Sequence, residues 1–228
     1  MPLPVDVASE VELRTSVLLT VDMNHRHLDI GGIGYHTLPK DRADLVLARG
    51  AVALQAARDA RMPVVHITTL ADPTTPWGPR GGKSPFLAWQ TGKPVPGAGF
   101  VRGVPPGRDV SRAGEIMPQV APLPHEPIVA KKRYSGFYMT DLEMVLRGFG
   151  IETIFLMGVN TNNCCLHTTF DAQARDFRVV ILEDACGSMN GQDYHEAAIK
   201  QIEAALGWSL SVADFRSFVR QRVAAVVG

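Results

Sequence analysis

Residues Thr153 to Cys165 read T-I-F-L-M-G-V-N-T-N-N-C-C. Ile154 to Met157 are four apolar residues in a row. A short apolar run closed by a glycine predicts a strand buried on both faces, as in a parallel sheet. Gly158 to Asn163 are small or polar and suit a turn. From Cys164 the pattern turns helical, with Leu166, Phe170 and Ala174 four apart. Cys164 is therefore expected where a strand hands over to a helix N-terminus. Unpaired N–H groups and the positive end of the helix dipole there stabilise a thiolate, which predicts a lowered thiol pKa. The plain alternative is a buried structural thiol, because free cysteine is usually buried and inert.

The same alternation extends in both directions. Val17 to Val21 (V-L-L-T-V) reads as a buried strand followed at once by Asp22. Asp41 to Arg61 has helical spacing through Leu45, Ala48, Val52 and Ala56. Pro63 to Thr68 reads as a second strand, and Ile128 to Ala130 as a third that ends at Lys131. Asp141 to Phe149 is a short helix. After the organising strand and helix come a strand at Val179–Leu182, a helix at Tyr194–Ala205, a sixth strand at Leu210–Val212 and a last helix at Ala213–Val226. Strands alternating with helices predict a three-layer α/β/α fold, a parallel sheet of about six strands with helices on both faces.

Residues 1–228 show no repeat and no internal boundary, so one domain is expected. It carries a long Pro/Gly-rich loop at about 70–127, with P-W-G-P-R-G-G-K and G-V-P-P-G-R within it. A stretch this long is usually a functional loop or an excursion packed on its own domain or a neighbouring subunit. Ligands in such sheets bind beyond the carboxyl ends of the strands. Asp22, Lys131 and Cys164 all fall there, and an acid, a base and a thiol in one crevice suit nucleophilic acyl chemistry.

Composition narrows the classes. The formal net charge is +0, from 23 basic and 23 acidic residues, which argues against nucleic-acid or membrane-surface partners. No apolar run nears the roughly 20 residues that span a bilayer. The start, M-P-L-P-V-D-V-A-S-E, has no basic region followed by an apolar core, so no signal peptide is read. The chain has 3 cysteines, two of them adjacent, and no C-x-x-C pair. That fits neither a disulfide framework nor a zinc site. The expected location is cytoplasmic.

Four segments in order resemble the isochorismatase-like cysteine hydrolases: V-D-M-N after the first strand, K-K-R-Y-S-G-F, G-V-N-T-N-N-C-C and V-V-I-L-E-D-A-C. The family has a strand ending in D-M-Q, a K-x-R-x-S-A-F segment and G-V-x-T-x-x-C. D-Y-H-E-A-A-I also resembles a recurring piece of its C-terminal helix. The resemblance implies Asp22 as general acid/base, Cys164 as nucleophile, and Lys131 as the third member of a triad. Lys131 rather than Lys132 is chosen because it precedes Arg133-Tyr134-Ser135 as in K-x-R-x-S. It also implies a cis Val159–Asn160 peptide, with the N–H groups of Asn160 and Cys164 forming an oxyanion hole.

On this resemblance the chemistry is hydrolysis of a small ureido (N-carbamoyl, biuret-like) or carboxamide C–N bond through a thioester. No cofactor is required, and homodimers or homotetramers are expected. Asn24, His25, Tyr134 and Phe137 are candidates for substrate contact. The sequence departs from D-M-Q-N-D-F, reading D-M-N-H-R-H-L, and has Asn160 and Cys165 where the family has other residues. His167 lies three residues after Cys164 and is a second candidate partner for it. Cys165 and Cys186 are read as structural. His25, His27 and Asp29 form H-x-H-x-D, yet the metal-binding relatives take ligands after the second strand, where only His66 and Asp72 stand, so no metal is expected. Between Asp72 and Arg112, Arg80, Lys83, Lys93, Arg102, Arg108 and Arg112 outnumber Asp72 and Asp109, and basic side chains at a crevice can hold an anionic substrate. The rival readings are a nicotinamidase-like aromatic amidase, a vinyl-ether hydrolase of the isochorismatase type, against which Cys164 argues, and a non-catalytic ligand-binding relative.

Overall fold

The computed structural model describes residues 5–32, 34, 37–69, 89, 92–94 and 111–227. In chain order the elements are helix α1 (Val5–Glu10), strand β1 (Ser16–Val21), the short helix α2 (His25–Leu28), α3 (Lys40–Asp59), β2 (Val64–Thr69), β3 (Ile128–Lys131), α4 (Leu142–Gly148), β4 (Thr153–Val159), α5 (Leu166–Gln173), β5 (Arg178–Gly187), α6 (Gln192–Ala205), β6 (Trp208–Leu210) and α7 (Val212–Val227). The six strands form one sheet in the order β3-β2-β1-β4-β5-β6, every pairing parallel. Helices α3 and α7 pack on each other against one face, and α5 and α6 against the other, which makes three layers.

Burial explains the apolar runs. Every residue of β1 and of β4 is buried, as expected of strands covered on both faces. Phe155 of β4 meets Phe215 of α7 with ring centroids 4.8 Å apart. β3 terminates the sheet and alternates instead, with Val129 and Lys131 buried and Ile128 and Ala130 exposed. β5 runs on to Gly187, past the expected end at Leu182. A register shift between Leu156 and Gly158 lets Cys186 pair with Gly158 and Gly187 with Val159. The sixth strand lies at Trp208–Leu210, two residues before its expected place, and Val212 opens the last helix instead.

The strand order reverses direction between β1 and β4, so the crevice beyond their carboxyl ends is the expected ligand site of this architecture. Most of the Pro/Gly-rich loop lies outside the described residues. Its last part, 111–127, is folded against the segment that follows β1. His25 N–H donates to Glu115 O, Arg26 N–H to Ala113 O and Met117 N–H to Met23 O, at 2.8–3.0 Å. Among the described residues no helix is long and apolar enough to cross a membrane.

Candidate active site

The three strand ends converge on one buried cluster. Asp22 follows β1 with φ at 49°, in the left-handed region that aspartate tolerates better than most residues. Its N–H donates to Ile67 O on β2. Its Oδ1 accepts the Thr69 N–H at 2.6 Å and the Thr69 hydroxyl at 2.9 Å, which fixes the carboxylate. Oδ2 faces Lys131 Nζ at 2.7 Å. Lys131 Nζ also donates to Thr69 Oγ1 at 2.9 Å and Arg133 O at 3.0 Å, and lies 3.3 Å from Cys164 Sγ. The ammonium thus sits between a carboxylate and a sulfur. The alternation of β3 turns Lys131 inward and leaves Lys132 half-buried. Asp22, Lys131 and Cys164 are all but closed to solvent, at 0%, 1% and 5% exposure.

Their charges follow from that burial. Desolvation works to raise the Asp22 pKa, but the Lys131 charge, aided by His27, overcomes it and holds the carboxyl at about 2. Lys131 is pulled down by burial and pushed further up by Asp22 and Cys164, so it stays protonated. Burial pushes the Cys164 thiol up to about 12, with Lys131 lowering it and Asp22 raising it. The resting site is therefore carboxylate, ammonium and thiol. This corrects the expectation of a lowered thiol pKa. Cys164 lies within a π-helical turn, Thr161–Cys165, and the loss of water around its sulfur outweighs the local helix-end field.

That turn is held by side chains on both sides. The Val159–Asn160 peptide is cis. Asn160 Oδ1 accepts the Met189 N–H at 2.9 Å, and Asn162 Oδ1 accepts the Ser188 hydroxyl at 2.8 Å. Asn162 Nδ2 donates to Asn190 Oδ1. Thr161 Oγ1 and His195 Nδ1 are 2.8 Å apart. On the other side the Thr168 hydroxyl donates to Cys164 O at 2.7 Å and accepts the Gly136 N–H at 2.9 Å. The Ser135 hydroxyl donates to Asp171 on α5. K-K-R-Y-S-G-F and the thiol-bearing turn are thus tied into one unit through the first turns of α5.

The other candidates separate. Asn24 is fully buried beside Thr68, whose single hydroxyl proton goes to Gly114 O. The Asn24 NH2 must therefore donate to Thr68 Oγ1, at 3.1 Å, and Asn24 Oδ1 is a buried acceptor with no donor on it among the described residues. His25 pairs with Asp29 through Nδ1 at 2.9 Å. Tyr134 lies against the His167 ring at 5.4 Å, and His167 is exposed and turned to Asn163 O. Phe137 is packed in the core against Phe177. Cys165 and Cys186 are fully buried, and burial with Cys186 close by pushes the Cys165 thiol well above its ordinary pKa. His66 lies between Thr20 Oγ1 and Glu126 Oε2, and Arg58 holds the same carboxylate. Among the described residues no three His, Cys, Asp or Glu side chains form a metal-sized group, and Asp72 lies outside them. Of the basic loop residues, Lys93 sits over the Trp89 ring and Arg112 pairs with Glu115. Arg80, Lys83, Arg102 and Arg108 lie outside the described residues.

Sequence reasoning missed Thr69, which touches both Asp22 and Lys131. The signal was present, since Thr69 is the last residue of β2 and the carboxyl ends of central strands face the crevice. It also gave no role to Thr168 or to the pair Thr161–His195.

A family model described as the isochorismatase domain matches residues 16–214. The chain belongs to the isochorismatase-like hydrolase family. It is 31% identical over 215 residues to the ureidoacrylate amidohydrolase RutB of Variovorax paradoxus, covering 89% of this chain and 81% of that protein. With the same enzyme of Azorhizobium caulinodans it shares 29% over 222 residues, covering 94% and 93%. Among solved structures, a cysteine hydrolase from Pseudomonas syringae pv. phaseolicola superposes with a TM-score of 0.74 at 25% identity, covering 93% and 95% of the two chains. The N-carbamoylsarcosine amidase of Thermoplasma acidophilum shares the fold, with a TM-score of 0.62 at 23% identity over 86% of this chain and 95% of that one. Within this hydrolase family the chain is related to the cysteine-hydrolase branch.

Proposed function

We propose that this family member is a cysteine-dependent amidohydrolase. It cleaves the C–N bond of a small ureido (N-carbamoyl or biuret-like) or carboxamide substrate through a thioester and releases ammonia. The observation that carries this reading is the Lys131 ammonium lying 2.7 Å from Asp22 Oδ2 and 3.3 Å from Cys164 Sγ. A thiol held near 12 does not wait as a thiolate. Its proton passes to Asp22 as sulfur bonds to the substrate carbonyl carbon, and Lys131 offsets the charge that moves onto sulfur. The Asn160 and Cys164 N–H groups receive the oxyanion, an effect worth about 3–4 kcal/mol per donor. Asp22 then protonates the departing nitrogen as the C–N bond breaks. A water gives a proton to Asp22 and adds its hydroxide to the thioester carbon; as the C–S bond breaks the acid is freed, and Asp22 returns the proton to sulfur, restoring thiol and carboxylate.

The ureido class rests on two supports. The relatives at 29–31% identity are ureidoacrylate amidohydrolases. Asn24 lies two residues after Asp22, and its Oδ1, without a donor among the described residues, suits a substrate that brings N–H groups, since a polar site rejects analogues that leave it unpaired. The test is ammonia release from ureido acids, biuret, nicotinamide and simple carboxamides. Ureido compounds are expected to give the highest kcat/KM. Cys164→Ala should lose at least about 10³-fold, while Cys165→Ala and Cys186→Ala keep most activity. Near-normal turnover in Cys164→Ala refutes the thioester, and preference for nicotinamide replaces the ureido assignment by the aromatic amidase.

A further inference from the structure

One motif from the sequence takes no part in this chemistry. D-Y-H-E-A-A-I forms the first turns of α6, which packs against the thiol-bearing turn. Its His195 is 7% exposed, and its Nδ1 lies 2.8 Å from the hydroxyl of Thr161, which is 0% exposed. Thr161 opens the turn that ends at Cys165 and directly follows Asn160. Burial and the nearby Arg42 guanidinium both lower the His195 pKa, so the ring is neutral at pH 7 and holds the hydroxyl without adding charge beside Cys164.

A buried polar pair is a costly choice for packing alone. Two apolar groups of the same shape would serve packing about as well. What the pair adds is direction. Asn160 and Asn162 fix their neighbours to Ser188–Asn190, and His195 fixes the residue between them to a rigid helix. We propose that His195 is a positioning residue for the nucleophile, its imidazole fixing Thr161 and through it the backbone that presents Cys164 and the two oxyanion N–H groups. The role concerns the reacting geometry and not substrate capture, so it falls on kcat. It rests on the assignment of Cys164 as nucleophile.

The experiment compares His195→Leu, His195→Gln, Thr161→Val and the double variant Thr161→Val/His195→Leu. A displacement near 1 Å costs about 10²-fold. The expected result is a fall in kcat of about 10²-fold for His195→Leu and for Thr161→Val, with KM within about threefold. The double variant should be no worse than either single one, and its melting temperature should recover towards wild type because no buried polar group is left alone. His195→Gln, whose side-chain amide carries both a donor and an acceptor for the hydroxyl, should recover most of the rate. Folded variants with kcat within about threefold of wild type overturn the proposal, as do losses that multiply in the double variant. If His195→Leu does not fold, Thr161→Val, nearly isosteric, tests the same contact from its other side. Amide hydrogen exchange over residues 160–166 supplies a readout that needs no substrate. Exchange faster there by about tenfold in Thr161→Val, with other segments unchanged, supports the proposal even if no ureido compound is turned over, and unchanged exchange overturns it.

Discussion

One methyl group added at Gly158 should cost the protein both stability and turnover. Gly158 has φ at +129°, and a β-carbon built on it falls 2.0 Å from the Val21 carbonyl oxygen and 2.8 Å from the Val21 nitrogen. Both atoms are backbone, so no side chain can swing away. Restoring van der Waals distance requires β1 and β4 to part by about 1.5 Å at their carboxyl ends. The conformation costs a non-glycine residue about 1–3 kcal/mol, and the overpacking about 1–3 kcal/mol more. In a chain of this size each kcal/mol lowers the melting temperature by about 2–4 °C, so Gly158→Ala should melt about 5–20 °C lower. Val21 pairs with Gly158 and is followed by Asp22, so the carboxylate moves with it. A shift near 1 Å there should reduce kcat about 10²-fold. Calorimetry and steady-state ammonia release, both run well below the variant's melting point, measure the two effects. Gly148→Ala is the control, since nothing lies within 4 Å of its added carbon. It should be neutral or slightly stabilising, because glycine is a poor helix former. A Gly158→Ala protein that melts within 2 °C of wild type (against the about 5–20 °C expected) and keeps its turnover would refute the reasoning.

Lys131→Ala should lose far more activity than Lys132→Ala, because only Lys131 faces Asp22 and Cys164. The reverse order in kcat would show that β3 is set one residue out of place. Asp22 and Glu126 are both held at about 2, below the ordinary 3.8 and 4.5. Carboxyls lowered in the folded state contribute stability that is complete above their unfolded values and lost as pH falls through the folded ones. Denaturant titrations should therefore show stability falling between about pH 4.5 and pH 2, with the loss shallower in Glu126→Gln. An equally steep acid loss in wild type and Glu126→Gln would remove Glu126 from that account.

The fold was legible because burial leaves a local record. T-I-F-L-M-G and V-L-L-T-V are continuous apolar runs, and both strands proved buried along their whole length. Lys131 is preferred to Lys132 on K-x-R-x-S and not on burial; the inward turn of Lys131 follows from the period-two alternation of β3, which I-V-A-K does not display in its residue types. The strand order, with β1 beside β4 and β3 at the end, leaves no such record. The grip on the thiol-bearing turn was equally hidden. Asn160, Thr161 and Asn162 look like turn residues, yet each is bound to a partner 26–34 positions away. The thiol pKa was misjudged because the sequence reveals the helix end near Cys164 but not the loss of solvent around it.

The position of Lys131 has one more consequence. Asp22 and Cys164 follow β1 and β4, the two strands at the middle of the sheet, whereas Lys131 closes β3, a four-residue strand that among the described residues is bonded only to β2. Terminal strands are the first to open, and local opening costs less than global unfolding. When β3 frays, the carboxylate loses its counter-charge and the sulfur its neighbour, while the central strands keep their core. In rising urea, activity should vanish while the circular dichroism is still native. Loss of activity ahead of unfolding would then begin at a terminal strand whose opening the central strands can bear.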